Sequence, residues 1–142
     1  MGHYRQIDHT ADLALRVTGK NLEDLFRTAS EGWRQLVVGQ LDLKSSEQRK
    51  MELKAESLEE LLVECLSELN YLLMGKHWLF NRYMKLKIRI DKSAFILNAL
   101  FEGENFSEND HPIENEIKAV TFHQLQIREG PQGYETTIVF DI

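Results

Sequence analysis

A single cysteine, Cys65, is present in the 142-residue sequence, which excludes an internal disulfide. Its apolar neighbours on a predicted helix favour core packing over a nucleophilic role, and so little cysteine is typical of a reducing cytoplasm. The sequence also lacks a signal-peptide pattern and any apolar run of about 18 residues. We therefore expect a cytoplasmic protein with no membrane partner.

The sequence also has fewer basic than acidic residues. Lys and Arg number 17 against 23 Asp and Glu, which gives a formal net charge of −6. Holding a phosphate backbone requires clustered cations, so no strong direct nucleic-acid binding is expected. Lys85, Lys87 and Arg89 do alternate along a predicted strand, but no aromatic residues are interleaved with them, and we interpret them as a solvated face.

Several motifs of well-known enzyme classes are missing. The sequence has no P-loop, no GxGxxG after a strand, no HExxH, no paired CxxC and no serine-nucleophile elbow. Its five histidines lack the spacing of a structural zinc site. These absences leave few routes to catalysis by the isolated chain.

The overall composition is that of an ordinary globular domain. Hydrophobic residues make up 42% and charged residues 28%, so residues 1–142 are expected to form a single domain with a proper core. Alternation predicts strands over residues 3–7, 13–18, 50–54, 84–90, 95–101, 118–128 and 134–140. Apolar residues at three- and four-residue steps predict two helices, from Asn21 to Gly39 and from Ser57 to Gly75. The order predicts an α+β fold: a two-layer sandwich whose mainly antiparallel or mixed sheet has both helices on one face.

Three connections are predicted between these elements. His77–Phe80 is interpreted as a loop whose bulky apolar residues pack against the core. Glu102–Glu116 is the longest polar segment and is expected to be a solvated loop. Gly130–Gly133 is expected to form a hairpin turn before the last strand.

Two carboxylates are expected to meet at one edge of the sheet. If strands 13–18 and 134–140 are antiparallel neighbours, Asp12 at the start of one lies beside Asp141 at the end of the other. The carboxylate of Ile142 would be close by, and three oxygen-bearing groups suit a hard cation such as Ca²⁺ or Mg²⁺. The alternative is that Asp12 caps a turn and Asp141 pairs with a surface lysine.

Three segments resemble hallmarks of the archease family. They are Asp8–Asp12 with the following Gly19 and Leu22–Phe26 helix start, then Ile117–His123, and finally Val139–Ile142. The resemblance spans essentially all 142 residues, in the same order as in the family.

The departures from the family pattern are small. Ala14 stands where many members have Gly, and Phe122 where many have Tyr. The second change alone removes a polar group, a tyrosine hydroxyl, that the family site could use.

The resemblance implies a two-layer fold and a non-enzymatic role. Archease-family proteins act with the RNA-splicing ligase that joins tRNA exon halves using GTP and divalent metal. They promote guanylylation of the ligase, restore its multiple turnover and bind a divalent cation, usually Ca²⁺. The matching cation ligands here are Asp12, Asp141 and Ile142, with Mg²⁺ or Mn²⁺ as alternatives to Ca²⁺.

Four other residues fall in the hallmark motifs. The resemblance suggests that they surround the cation site or contact the ligase: Asp8, His9, Lys118 and His123. Judged from its own strand alone, His123 is an ordinary surface histidine, although a Lys and a His near strand ends can also bind phosphate or serve as acid and base.

Two further function classes stay open. Some family members are described as chaperone-like modulators of a tRNA cytosine methyltransferase, which would make this chain an interaction protein. A metal-dependent hydrolase using Asp12, Asp141 and His123 is the third class, but two carboxylates and a chain end form a sparse catalytic set.

Overall fold

The computed structural model describes residues 2–9, 12–109 and 111–142, apart from the side chains of Asp8 and His9. Within these residues the elements are, in chain order, β1 (His3–His9), β2 (Asp12–Gly19), α1 (Leu22–Val38), β3 (Glu47–Ala55), α2 (Leu58–Lys76), β4 (Trp78–Asp91), β5 (Ala94–Asn105), β6 (Ala119–Val120), β7 (Arg128–Gly130) and β8 (Gly133–Asp141). No helix in this part of the chain is long and apolar enough to cross a bilayer.

The described strands form two hydrogen-bonded sheets, and every pairing in them is antiparallel. The five-stranded sheet has the order β1-β2-β8-β6, with β7 also paired to β8, and the three-stranded sheet has the order β3-β5-β4. Helix α1 contacts β2 of the first sheet and β4 of the second, and α2 contacts β3, β4 and β6. The predicted α+β class with two helices and antiparallel strands is confirmed.

Both helices begin at the predicted capping residues. The Asn21 side chain accepts a hydrogen bond from the Asp24 backbone N–H at 2.8 Å, and α1 ends at Gly39, whose φ of 69° suits glycine. Ser57 accepts from the Glu60 N–H at 3.1 Å. The Glu60 carboxylate reaches back to the N–H of Glu56 at 3.4 Å, one residue before the expected partner.

The core lies between the helices and the inner faces of the two sheets. Its largest fully buried side chains include Trp33 and Phe26 of α1, Trp78 and Phe80 of β4, and Phe140 of β8. The Trp33 indole N–H donates to the Asn70 side-chain oxygen at 3.1 Å, which joins the two helices within this core.

Two predicted loops are shorter than expected. Residues 78–80 are not a loop but the first residues of β4, because they pair with β5 from Asn105 to Gly103. Trp78, Leu79 and Phe80 are fully buried there, so their expected packing against the core is confirmed. The same pairing extends β5 to Asn105, and the polar segment expected from Glu102 begins only after it.

Candidate metal centre at the end of the five-stranded sheet

Strands β2 and β8 bring two aspartates to one end of the five-stranded sheet. The register pairs Leu13 with Phe140, and these side chains face the core. The next position on each strand places Asp12 beside Asp141, and both point to the opposite, outward face because side chains alternate along a strand. Asp12 is half-buried and Asp141 exposed. The predicted antiparallel pairing of the first long strand with the last is thus present.

A cation site here needs oxygen donors in addition to the two acidic side chains. Ile142 follows Asp141 directly, is 45% exposed, and can add main-chain oxygen. Among the described side chains, no group of three His, Cys, Asp or Glu residues is spaced to hold a metal ion. The donor set that the fold assembles is therefore two carboxylates and main-chain oxygen, which fits a hard cation and not a soft one.

The short strand β6 brings Lys118 to the same end. The Lys118 backbone N–H donates to the Asp141 carbonyl at 2.8 Å, and Ala119 pairs with Asp141 in the register. Lys118 is exposed. The main chain thus holds Lys118 at the same end of the sheet as the carboxylate pair.

The predicted strand 118–128 is wrong beyond Val120. The Thr121 N–H and hydroxyl both donate to the Val139 carbonyl, at 3.0 and 2.9 Å, and the hydroxyl accepts from the His123 N–H at 3.2 Å. A turn follows, in which the Leu125 N–H donates to the Phe122 carbonyl at 3.0 Å. The side-chain bonds of Thr121 compete with the strand ladder and end it there.

This turn places His123 over the outward face of the sheet. A groove of about 890 Å³ lies on that face, and its walls include His123, Ile7 of β1, Arg16 of β2 and Val139 of β8. Val139 is two residues before Asp141 on the same side of β8. The structure therefore brings His123 to the same face as the carboxylate pair.

Asp8 and His9 are the remaining predicted site residues. Their backbone is the end of β1, where His9 pairs with Asp12 in the register. Their side chains, and Thr10 and Ala11 of the same motif, lie outside the described residues.

Asn70 is a supporting residue that sequence analysis missed. From α2, its side-chain N–H donates to the Ile117 carbonyl at 2.9 Å, while its oxygen accepts from Trp33. Nearby, the side-chain N–H of Asn115 donates to the Leu36 carbonyl at 2.7 Å. These bonds fix the segment that leads into Lys118. The sequence did contain one signal of this role, since Asn70 is a polar residue on the apolar side of the predicted second helix.

Cys65 belongs to the core, as predicted. It is fully buried, and its sulfur lies 3.3 Å from the Tyr83 hydroxyl, which in turn lies 2.8 Å from the Ser30 hydroxyl. Burial raises the pKa of the Cys65 thiol to about 11. A thiol that stays protonated at neutral pH is a poor nucleophile.

Fold and site together define an α+β protein with paired carboxylates at one sheet edge. The solution structure of Methanobacterium thermoautotrophicum protein 1598 is similar, with a TM-score of 0.84 and 27% identity over 98% of each chain. Residues 4–142 match the model of the Archease protein family (MTH1598/TM1083).

Curated relatives named "Protein archease" agree with that match. The one from Methanosarcina mazei is 32% identical over 98% of this chain and 95% of its own, and the one from Saccharolobus islandicus is 32% identical over the whole of both chains. The chain belongs to the archease family, which confirms the resemblance of its three motifs.

Proposed function

We propose that this protein is an accessory activator of the GTP-dependent tRNA-splicing RNA ligase, promoting its guanylylation and multiple turnover. Family membership supports the proposal, because the archease resemblance implies this role. The observation that carries it is the convergence of Asp12 and Asp141 at one exposed end of the sheet.

The donor set suits the cation that the role requires. Asp12, Asp141 and main-chain oxygen of Ile142 would hold Ca²⁺, with Mg²⁺ or Mn²⁺ as alternatives, and water or the partner would supply the other ligands. A divalent cation bound there would supply neutralisation and alignment of triphosphate oxygens, which nucleotidyl transfer needs.

The protein's own residues would present this site to a partner. Asp141 and Lys118 are both exposed, so this end of the five-stranded sheet can enter a cleft of the partner without a change in its fold. The Lys118 N–H bond to Asp141 and the paired bonds of Thr121 to Val139 keep the edge ordered. Preorganised charge of this kind acts on a partner without a large reorganisation cost. Lys118 and His123, together with Asp8 and His9, are proposed to contact the ligase or the bound cation.

The proposal is tested by single-turnover guanylylation of the cognate ligase with GTP and divalent metal. The unmodified protein should stimulate the reaction, and Asp12→Ala or Asp141→Ala should remove most of the stimulation. Asp91→Ala is the matched control, since it removes an exposed carboxylate at the far end of the β4–β5 hairpin. Circular dichroism of each variant checks that the fold is intact.

Full stimulation by both site variants would refute a role for the carboxylate pair. No stimulation by the unmodified protein would refute the activator role. Light scattering of a tRNA methyltransferase with and without the protein would then test the chaperone alternative, which requires suppressed aggregation.

A further inference from the structure

Five cations share the solvent-facing side of the three-stranded sheet. Lys50 and Lys54 project from β3, and Lys85, Lys87 and Arg89 project from β4. All five are exposed, and they alternate with residues that face the core or are partly buried. We call this side of the sheet the basic face.

The register arranges these cations in two parallel lines. Lys50 and Lys85 flank Leu100 of the central strand, and Lys54 and Arg89 flank Ile96. Successive cations on β4 are about 7 Å apart, Lys50 and Lys54 on β3 are about 13 Å apart with Glu52 between them, and the two lines are about 10 Å apart, from ordinary strand geometry. Cations therefore lie on both outer strands of this sheet, on either side of β5.

Acidic side chains offset only part of this positive charge. Arg82 and the buried Glu102 form an ion pair at 2.5 Å on the same face. Within the described residues, none of the five cations of the basic face has an ion-pair partner. Counting Arg82, six cations share this face with three acidic side chains, Glu52, Asp91 and Glu102, so cations are in excess here although the chain has a net charge of −6.

The shielding of apolar residues by long side chains explains only part of this arrangement of charges. Long side chains shield the central strand, where Ile96 is 7% exposed and Leu100 is half-buried. Glu52 lies between Lys50 and Lys54 and can shield the central strand too, so shielding alone does not explain six cations against three acidic side chains. The excess of one sign therefore points to an anionic partner.

We propose that the basic face binds the phosphate backbone of double-helical RNA. Lysine is depleted in protein–protein interfaces, whose binding energy is concentrated in aromatic and arginine anchors. Single-stranded RNA is usually held by stacking on aromatic rings, and no outward position of the described β3, β4 and β5 is aromatic. Duplex RNA is recognised through its shape and phosphates, which exposed Lys and Arg side chains on neighbouring strands can contact.

The contact is weak and separate from the carboxylate edge. Contacts to phosphate by exposed lysines are screened by salt and carry no sequence information, which is consistent with the expected lack of strong nucleic-acid binding. The basic face belongs to β3, β4 and β5, whereas Asp12 and Asp141 belong to the other sheet. The inference therefore does not rest on the proposed ligase role.

Fluorescence anisotropy with a labelled RNA duplex of about 16 base pairs tests the proposal. Five phosphate contacts predict a slope of roughly −4.5 in log affinity against log salt, or about a 500-fold loss of affinity between about 50 and 200 mM salt. The double variant Lys50→Ala/Lys87→Ala should reduce the slope to roughly −2.7, because each lysine accounts for about one contact. The double variant Lys44→Ala/Lys76→Ala removes two exposed lysines elsewhere and should leave the slope unchanged.

Three results with RNA would overturn the proposal. They are the absence of duplex binding at the lowest salt, an equal loss in the control double variant, and tighter binding of a single strand of the same length. An acidic peptide of equal charge that binds as tightly as the duplex would also overturn it, and would assign the basic face to an acidic protein.

Discussion

Asn70 links the helical core to the candidate site, and its replacement by leucine tests that link. Its side chain accepts from the indole N–H of Trp33 and donates to the Ile117 carbonyl, at 3.1 and 2.9 Å. Leucine has a similar size but offers neither partner a hydrogen bond. Asn70→Leu should therefore leave two polar groups unpaired while adding little steric strain.

The expected cost follows from the burial of those groups. Trp33 is fully buried and Ile117 is 1% exposed, so water has little access to their polar atoms. Each unpaired buried group costs about 1–3 kcal/mol. Because leucine regains some apolar burial, we expect a net loss of about 2–4 kcal/mol in the free energy of unfolding. For a chain of this length, that corresponds to a fall of roughly 6–12 °C in Tm.

Urea denaturation followed by circular dichroism measures the global loss. Hydrogen exchange should show a local effect as well, with faster exchange of the Lys118 and Thr121 amides, which donate to β8. Asn105→Leu is the control, since Asn105 is exposed and no side-chain hydrogen bond joins it to another described residue. A loss below about 0.5 kcal/mol, or one no larger than in the control, would refute the anchoring role of Asn70.

Two other perturbations probe the interior and the acid response. Tyr83→Phe removes the hydroxyl that contacts Ser30 and Cys65, and should cost about 1 kcal/mol in urea denaturation; a more stable variant would contradict this. Burial raises the pKa of Asp24, but hydrogen bonds from the Lys20 backbone and the Arg27 side chain outweigh it and lower the pKa below its ordinary value. This carboxylate therefore contributes stability above its unfolded pKa of about 3.9 and loses it as pH falls through the lower folded value. Asp24→Asn should flatten the decline of the urea midpoint below about pH 4, and an unchanged decline would show that other groups govern it.

Local chemistry in the sequence was enough to predict most of the elements. Asn21, Ser57 and Gly39 mark helix ends because capping depends on bonds within a few residues of the chain. The alternation from Leu13 to Val17 and the apolar pair Ile138 and Phe140 identified the buried sides of β2 and β8. From those two patterns, the meeting of Asp12 and Asp141 could be predicted without coordinates.

Long-range bonds decided the features that sequence analysis got wrong. The 118–128 segment has a strand-like pattern, but the Thr121 hydroxyl bonds to the Val139 carbonyl, which competes with the strand ladder and ends β6 after Val120. Residues 78–80 join β4 because the matching residues of β5 lie opposite them. Neither partner is near in sequence, so local pattern carried no signal of it.

The charge distribution shows the same division between sequence and tertiary structure. The sequence determines the net charge of −6 and the alternation of Lys85, Lys87 and Arg89 on one strand. Only the pairing of β3 and β4 with β5 brings Lys50 and Lys54 onto the same face. Alternation along a strand depends on adjacent residues, whereas strand order depends on which distant segments bury their apolar sides together. The sequence therefore determined which side of each strand is charged, and the tertiary structure decided which charges lie together.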